Sequence, residues 1–316
     1  MKPMKTSSLL RGVIAAAAIL ASQAALAAPS WNFGYTGSLT NWSAPVTGLY
    51  RVTAVGAQGG HGTISNDSFV GGRGAQIIGS FNFNAGDNFL LAVGGMGSSY
   101  ANNYNGGGGG GSFLVDDDGT ALLIAGGGGG IRAYAGQNGF DASLTAFGMQ
   151  GSGWGNVGAA QVKTTGLGQG GIVSSYSYGA GGAGFYSNGA DDMGVDTSGG
   201  LSWLNQLVGG TGNINSYCNS VGGFGGGGSG TGCGGGGGGG GYSGGDGGFI
   251  AGGGGSWNVG FDQLAFGGVG YGNGSILIEE VSAAAAVPEP ASMMLVSAGL
   301  FGLAMSRRRK VKASKQ

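Results

Sequence analysis

The residues with the most obvious chemical potential are a serine inside a glycine-rich pentapeptide. Gly241-Tyr242-Ser243-Gly244-Gly245 has the G-x-S-x-G spacing that places a nucleophilic serine on a strand-to-helix turn in many hydrolases. That chemistry needs a preceding strand and a later histidine, but a glycine run precedes the serine and the single histidine, His61, lies far upstream. In a chain with 82 glycines such a string arises by chance, so no catalytic residue is predicted.

Two groups of aspartates offer carboxylate oxygens of the kind that bind calcium. Asp116-Asp117-Asp118 stands before Gly119 and between two apolar runs, a context that favours a hairpin turn over a calcium site. The second group is Asp191, Asp192 and Asp196, in a segment with the composition of a loop. Neither group has the spacing of an EF-hand loop, so calcium remains an alternative and no other cofactor is expected.

Tryptophans offer a third kind of chemistry, because an aromatic face gives a sugar ring apolar area beside polar groups. Trp154 and Trp203 are candidates for such sugar stacking. The alternative interpretation is that these rings cap the core of a glycine-rich domain, which is the commoner role of large aromatic side chains.

The chain has two cysteines, Cys218 and Cys233. In an oxidising compartment we expect them to form one disulfide, which closes a glycine-rich loop and stabilises the fold by roughly 3 kcal/mol. Two thiols and one histidine do not make a credible zinc set, so no metal site is predicted.

The N-terminal residues have the three parts of a secretory signal peptide. Three basic side chains come first, followed by an apolar run at residues 12–20 that is too short to span a membrane. Ala25 and Ala27 then give the small-x-small pattern of a cleavage site, which places the mature start at Ala28. Residues 1–27 are therefore predicted to direct export and to be removed.

The C-terminal residues have the order of a short membrane-sorting segment. A linker at residues 283–290 ends in Val287-Pro288-Glu289-Pro290, and its prolines prevent a helix from starting earlier. Residues 291–306 are apolar but shorter than the roughly twenty residues of a comfortable span. The tail at residues 307–316 stays cytoplasmic under the positive-inside rule, which leaves the body beyond the inner membrane. That tail begins with Arg307, Arg308 and Arg309.

This order of parts resembles the PEP-CTERM sorting signal of Gram-negative bacteria, on the Pro-Glu-Pro motif, the short apolar helix and the arginine cluster. The resemblance implies cleavage by an exosortase-type membrane protease, so that the membrane anchor is temporary. It also implies a connection with exopolysaccharide and biofilm production. A plain C-terminal anchor is the alternative.

The body between Ala28 and Val287 is acidic and rich in glycine. Nine of the thirteen basic residues lie in the two end segments, so the body keeps four basic residues against thirteen acidic ones, a net charge of −9. Such a surface cannot neutralise a phosphate backbone, which excludes nucleic-acid binding. Hydrophobic residues make up 41% of the chain and charged residues 9%, the reverse of a disordered composition.

Segments of β-forming residues recur through the first half of the body and again at its end. They are residues 48–55, 75–83, 88–93, 112–115, 120–125 and 275–281. Turn-forming residues separate several of them, as in Asn84-Ala85-Gly86-Asp87. Short strands with tight turns predict a mainly β domain over residues 28–282, built as an antiparallel sandwich.

Long glycine runs lie between and after these strands. They occupy residues 106–111, 126–130, 225–228, 234–241 and 252–255. Polyglycine can form extended left-handed helices with three residues per turn, whose backbones bond to one another because no Cβ atom intervenes. Each such bond contributes only about 1 kcal/mol net, so a bundle of these helices needs the strands and the disulfide as a scaffold.

Four segments resemble the glycine-rich extracellular domain of receptors of the anaplastic-lymphoma-kinase class. They are residues 50–60, 112–115, 122–129 and 222–245, with Cys218 upstream of the last. The resemblance implies a TNF-like β-sandwich fused to a packed bundle of polyglycine helices. The chain has no kinase part, so receptor signalling is not implied.

Together these features predict an exported protein that is not an enzyme. The first interpretation is a structural or adhesive protein of the cell surface or of an exopolysaccharide matrix. The alternative is a lectin-like or other ligand-binding module that uses loops at one end of the sandwich.

Overall fold

The computed structural model describes residues 28–64, 67–99, 104–132, 136–152, 160–173, 178–194, 196–212, 219–232 and 234–281. The chain divides into two units, and the unit Ser30–Val281 contains all the named strands. Several predictions lie outside the described residues. These are the signal peptide, the linker, the sorting helix, the basic tail, Trp154 and the pair Cys218 and Cys233.

The described residues form short strands and almost no helix. The strands are β1 (Ser30–Gly34), β2 (Thr40–Ser43), β3 (Gly48–Val55), β4 (Gly62–Ile64), β5 (Asp67–Phe69), β6 (Gly74–Phe83), β7 (Asn88–Ala92), β8 (Ser112–Asp116), β9 (Ala121–Ala125), β10 (Trp257–Asn258), β11 (Phe261–Gly270) and β12 (Ser275–Val281). A single turn of 3-10 helix covers Trp203–Asn205. None of the described helices is long and apolar enough to cross a membrane.

Ten of these strands form two antiparallel sheets of five. The first sheet has the order β1-β12-β3-β6-β11, and the second has the order β10-β9-β8-β7-β2. Strand β3 shows why the chain pairs in this way, since Tyr50, Val52 and Ala54 are buried while Arg51 between them is exposed. This alternation gives the sheet one apolar face, which requires a partner surface.

The two sheets share one hydrophobic cluster that is rich in aromatic side chains. Tyr50 and Phe83 come from the first sheet, and Trp42 and Phe89 come from the second. The ring centroids of Phe83 and Phe89 are 4.3 Å apart, and those of Trp42 and Tyr50 are 5.6 Å apart. Burial raises the pKa of Tyr50, whose hydroxyl donates to the Val46 carbonyl at 2.7 Å. These rings therefore join the sheets across the core.

The expectation of a mainly β domain with antiparallel sheets is confirmed. All six predicted strands are present, with ends within one residue of those expected. The prediction missed the outer strands of the two sheets, β1, β2, β10 and β11, and the separate two-stranded sheet of β4 and β5. The five long glycine runs lie outside the named helices and strands, so these elements alone establish neither a polyglycine-helix bundle nor a TNF-like topology.

Candidate functional site

Three glycine-rich segments are buried and bond to one another, and we call residues 106–111, 126–131 and 236–241 the glycine core. Along residues 106–111 and 236–241 the backbone N–H groups bond with a period of three residues, because groups three residues apart donate to the same neighbouring segment. Along residues 106–111 the acceptors are, in order, the carbonyl oxygens of Ile131, Ser98, Gly228, Gly128, Gly95 and Gly225.

The three segments of the glycine core also bond to one another in a cycle. Gly109 donates to Gly128 at 2.8 Å, Gly127 donates to Gly240 at 2.8 Å, and Gly240 donates back to Gly109 at 2.9 Å. A Cβ atom at Gly108 would overlap the Gly238 carbonyl, so the segments approach too closely for any side chain. The glycine core is therefore held by backbone hydrogen bonds rather than by apolar side chains.

The serine of the hydrolase-like pentapeptide lies just after the third segment of the glycine core. Ser243 is fully buried. Its hydroxyl donates to the Ala146 carbonyl at 2.6 Å and accepts from the Gly168 N–H at 2.8 Å. The side chain thus connects loop segments, and both of its bonds are structural.

A buried ion pair lies next to this serine. The ammonium group of Lys163 is 2.9 Å from a carboxylate oxygen of Asp246 and donates to the Gly244 carbonyl at 2.7 Å. The same carboxylate oxygen accepts from the Ile172 N–H at 2.9 Å. The two side chains are 10% and 11% exposed, so both charges depend on these partners.

The predicted sugar-stacking residue Trp203 belongs to a row of aromatic rings outside the second sheet. Trp203 stacks on Phe185 with centroids 5.7 Å apart, and Tyr242 stacks on Trp257 at 4.4 Å. Burial and a hydrogen bond with Tyr186 raise the pKa of Tyr242 to about 12. One face of Trp203 is therefore covered by a neighbouring ring.

The carboxylates of the two aspartate groups accept hydrogen bonds from backbone N–H groups of their own loops. Asp116, Asp117 and Asp118 lie in the predicted β8–β9 hairpin. Hydrogen bonds to Asp118 from the Thr120 side chain and from the Thr120 N–H lower the pKa of that carboxyl. Burial raises the pKa of Asp116.

In the second group, Asp191 accepts from the Gly199 N–H, and Asp192 accepts from the Tyr178 and Gly194 N–H groups. Asp196 has a left-handed backbone, with φ of 55°. Within the part of the chain that the structure describes, no cluster of three or more His, Cys, Asp or Glu side chains suits a metal ion.

A groove of about 530 Å³ provides a candidate binding site that the sequence analysis did not identify. Half-buried Arg73 lines it, with its guanidinium carbon 4.0 Å above the centre of the Tyr271 ring. One of its nitrogen atoms donates to the Gly268 carbonyl at 3.3 Å. The Arg73 guanidinium forms no ion pair with any carboxylate among the described residues. It therefore retains N–H donors for a ligand.

Two more polar side chains in this groove are fixed by the backbone of residues 70–73. The oxygen of the Asn138 side-chain amide accepts from the Val70 N–H at 2.8 Å. The NH₂ group of the same amide therefore points away from Val70. An Asp141 carboxylate oxygen accepts from the Arg73 N–H at 2.7 Å. Phe140 adds an aromatic surface. Fixed donors, a fixed acceptor and an aromatic ring can together bind a polyol such as a sugar.

The sequence contained a signal for the buried ion pair and for the groove, the two features that the sequence analysis did not identify. The body has only four basic residues, and two of them are Lys163 in the buried pair and Arg73 in the groove. In a body with net charge −9, basic residues are rare enough for each to be considered as a candidate functional residue. The partner of each one cannot be identified without the fold.

Comparison with known families identifies one segment of the chain. Residues 286–310 match the PEP-CTERM protein-sorting motif, which confirms the resemblance noted for the C-terminal residues. No curated protein matches the chain. The motif indicates an exported protein that is anchored in the membrane before processing and is sorted through an exosortase-type protease.

Proposed function

We propose that the chain is a non-enzymatic structural or adhesive protein of the cell surface or of an exopolysaccharide matrix. The observation that carries this proposal is the PEP-CTERM match at residues 286–310, since it gives the body a route to the outside of the cell. After processing, the inner-membrane anchor is lost and the body, Ser30–Val281, is retained in the matrix or at the surface.

The construction of the body supports a mechanical rather than a catalytic role. We infer that the glycine core is a bundle of three-residue extended helices beside a TNF-like sandwich, as in the glycine-rich domain of the receptors named above. The three-residue period of its hydrogen bonds supports this inference, because extended polyglycine helices have three residues per turn. Such a bundle is dense in backbone bonds and has few side chains that can move.

The sorting step can be tested by changing the motif. In Pro288→Ala/Glu289→Ala cells we expect the precursor to accumulate in the membrane fraction and the body to disappear from the matrix fraction. The reason is that the protease loses its recognition motif while the membrane segment remains intact. Immunoblots of the membrane, surface and released fractions with an antibody against the body measure both effects.

The matched control is Lys315→Ala, which changes a residue beyond the matched segment and should leave the distribution unchanged. Equal amounts of the body in the matrix fraction for the motif variant and the wild type would contradict the proposal. A body that is processed normally but is recovered wholly in the free medium would contradict the matrix role alone.

A second candidate function, glycan binding, is favoured by the groove at Arg73, Asn138 and Asp141. We expect purified body to bind polysaccharide extracted from the source cells, and Arg73→Ala to weaken that binding about tenfold or more, because one charged hydrogen-bond donor contributes about 1.5–3 kcal/mol. Calorimetric titration measures the change, with Arg51→Ala as the control on an exposed strand residue. Equal affinity of wild type and Arg73→Ala would remove the groove from consideration.

A further inference from the structure

Strand β11 is an outer strand of the first sheet and is unusually exposed. It pairs with β6 on one side, and no other strand pairs with it among the described residues. Four of its large apolar side chains face solvent: Phe261, Leu264, Phe266 and Val269 are 44%, 45%, 46% and 40% exposed. An exposed apolar edge strand offers free backbone donors and acceptors to another strand.

Natural edge strands are commonly protected by charges and by β-bulges, and the centre of β11 has neither, because its ladder with β6 shifts register only between Phe261 and Leu264 and between Phe266 and Gly270. Asp262 is its one charged residue. Leu264 and Phe266 lie opposite Ile78 and Gln76 of β6, while Ala265 between them lies opposite Ile77 of the shared core. Leu264 and Phe266 are therefore on the outer face of the sheet, where the fold of one copy does not cover them.

The strand is symmetric about Ala265 only in the placement of its left-handed residues and of its large apolar residues. Its two left-handed residues, Asp262 with φ of 50° and Gly268 with φ of 66°, stand three residues before and after Ala265. The apolar residues follow the same symmetry, since Leu264 and Phe266 are one residue away on either side and Phe261 and Val269 are four. A symmetric strand is suited to pairing with itself.

We propose that β11 binds β11 of a second copy of this chain in an antiparallel pair, with the twofold axis at Ala265. In this register Leu264 faces Phe266 of the second copy within the regular stretch Leu264–Phe266, while Phe261 and Val269 lie beyond the register shifts. Asp262 faces Gly268 of the second copy, and Gln263 faces its Gly267. The apolar side chains at the centre of the pair are then opposite one another, and the two first sheets join through this stretch.

The charge distribution also favours this register. The two Asp262 side chains lie six residues apart along the paired strands, about 20 Å at the usual rise per residue. This separation exceeds the Debye length of about 8 Å at physiological salt, so their repulsion is screened. The bodies themselves each have a net charge of −9, so we expect the dimer to become more stable as salt concentration rises.

The experiment uses residues 28–281, because the unit Ser30–Val281 is compact and contains both hydrophobic clusters. Sedimentation equilibrium from the micromolar to the millimolar range should show a monomer–dimer equilibrium. Leu264→Lys/Phe266→Lys should give monomer, because each lysine then faces a lysine of the second copy. Leu264→Lys/Phe266→Glu should restore the dimer, because each lysine then faces a glutamate.

The control is Met193→Lys/Leu204→Lys, which places the same charges on apolar side chains that are 86% and 76% exposed elsewhere on the body. It should dimerise as the wild type does, and circular dichroism checks that all variants keep the fold. A wild-type body that stays monomeric throughout overturns the proposal. So does a dimer that survives the two-lysine change at β11, or one that the lysine–glutamate variant fails to restore.

Discussion

Replacing Gly239 by alanine is expected to lower the free energy of unfolding by about 3 kcal/mol, because the new methyl group meets backbone that cannot move aside. A Cβ atom at Gly239 would overlap the Gly127 carbonyl and approach the Gly128 oxygen at 2.9 Å. Gly239 also donates to the Gly252 carbonyl and accepts from the Gly245 N–H, both at 2.9 Å. Separating the segments to admit the methyl group weakens these bonds as well.

The matched control is Gly34→Ala in β1, where an added Cβ atom has no neighbour within 4 Å and the backbone is not left-handed. We expect this change to alter stability by less than about 0.5 kcal/mol. Urea unfolding of residues 28–281, followed by tryptophan fluorescence, compares the two variants under the same conditions. Equal midpoints for Gly239→Ala and Gly34→Ala would show that the glycine core tolerates side chains and is not closely packed.

Replacing Lys163 by methionine is expected to cost about 3 kcal/mol or more, because it leaves the Asp246 carboxylate buried without its counter-charge. The remaining donor to the bonded carboxylate oxygen is the Ile172 N–H, and the Gly244 carbonyl loses the lysine donor. Arg51→Met is the control, since Arg51 is an exposed cation on β3, and its loss should cost less than about 1 kcal/mol.

The double variant Lys163→Met/Asp246→Asn separates the charge from the packing. It removes the buried charge and keeps an oxygen that can accept from the Ile172 N–H, so it should be more stable than Lys163→Met alone. A thermodynamic cycle of the wild type, both single variants and the double variant gives the coupling energy. A coupling energy near zero would mean that the two side chains do not stabilise the fold as a pair.

The inner strands of both sheets were predictable from the sequence, because each is either an alternation of apolar and polar residues or a short apolar run bounded by turn residues. In β3 the buried Tyr50, Val52 and Ala54 show this pattern, and the Asp-Gly turn between β8 and β9 marks a hairpin. The edge strands lack that signal. In β11 nearly every side chain is exposed, so its sequence shows no alternation that distinguishes it from a loop.

The groove at Arg73 and the buried ion pair could not be predicted, because their members are far apart in the chain. Lys163 and Asp246 are separated by 83 residues, and Arg73 and Asp141 by 68. Nothing local in the sequence indicates which distant carboxylate a lysine or arginine will meet. Trp203 was recognised as an aromatic with two alternative roles, and only its neighbours show that Phe185 covers one of its faces.

The sequence by itself determined the sorting motif at residues 286–310 and the paired core strands, because both depend on the order of residue types along a short segment. The tertiary structure alone decided how the glycine runs associate. A glycine run has no side-chain pattern, so its partners are set by backbone hydrogen bonds between distant segments, as in the cycle of Gly109, Gly127 and Gly240. The tertiary structure also decided that β11 is an edge strand. Its exposure depends on its having one neighbouring strand, β6, among the described residues, and the sequence does not show this.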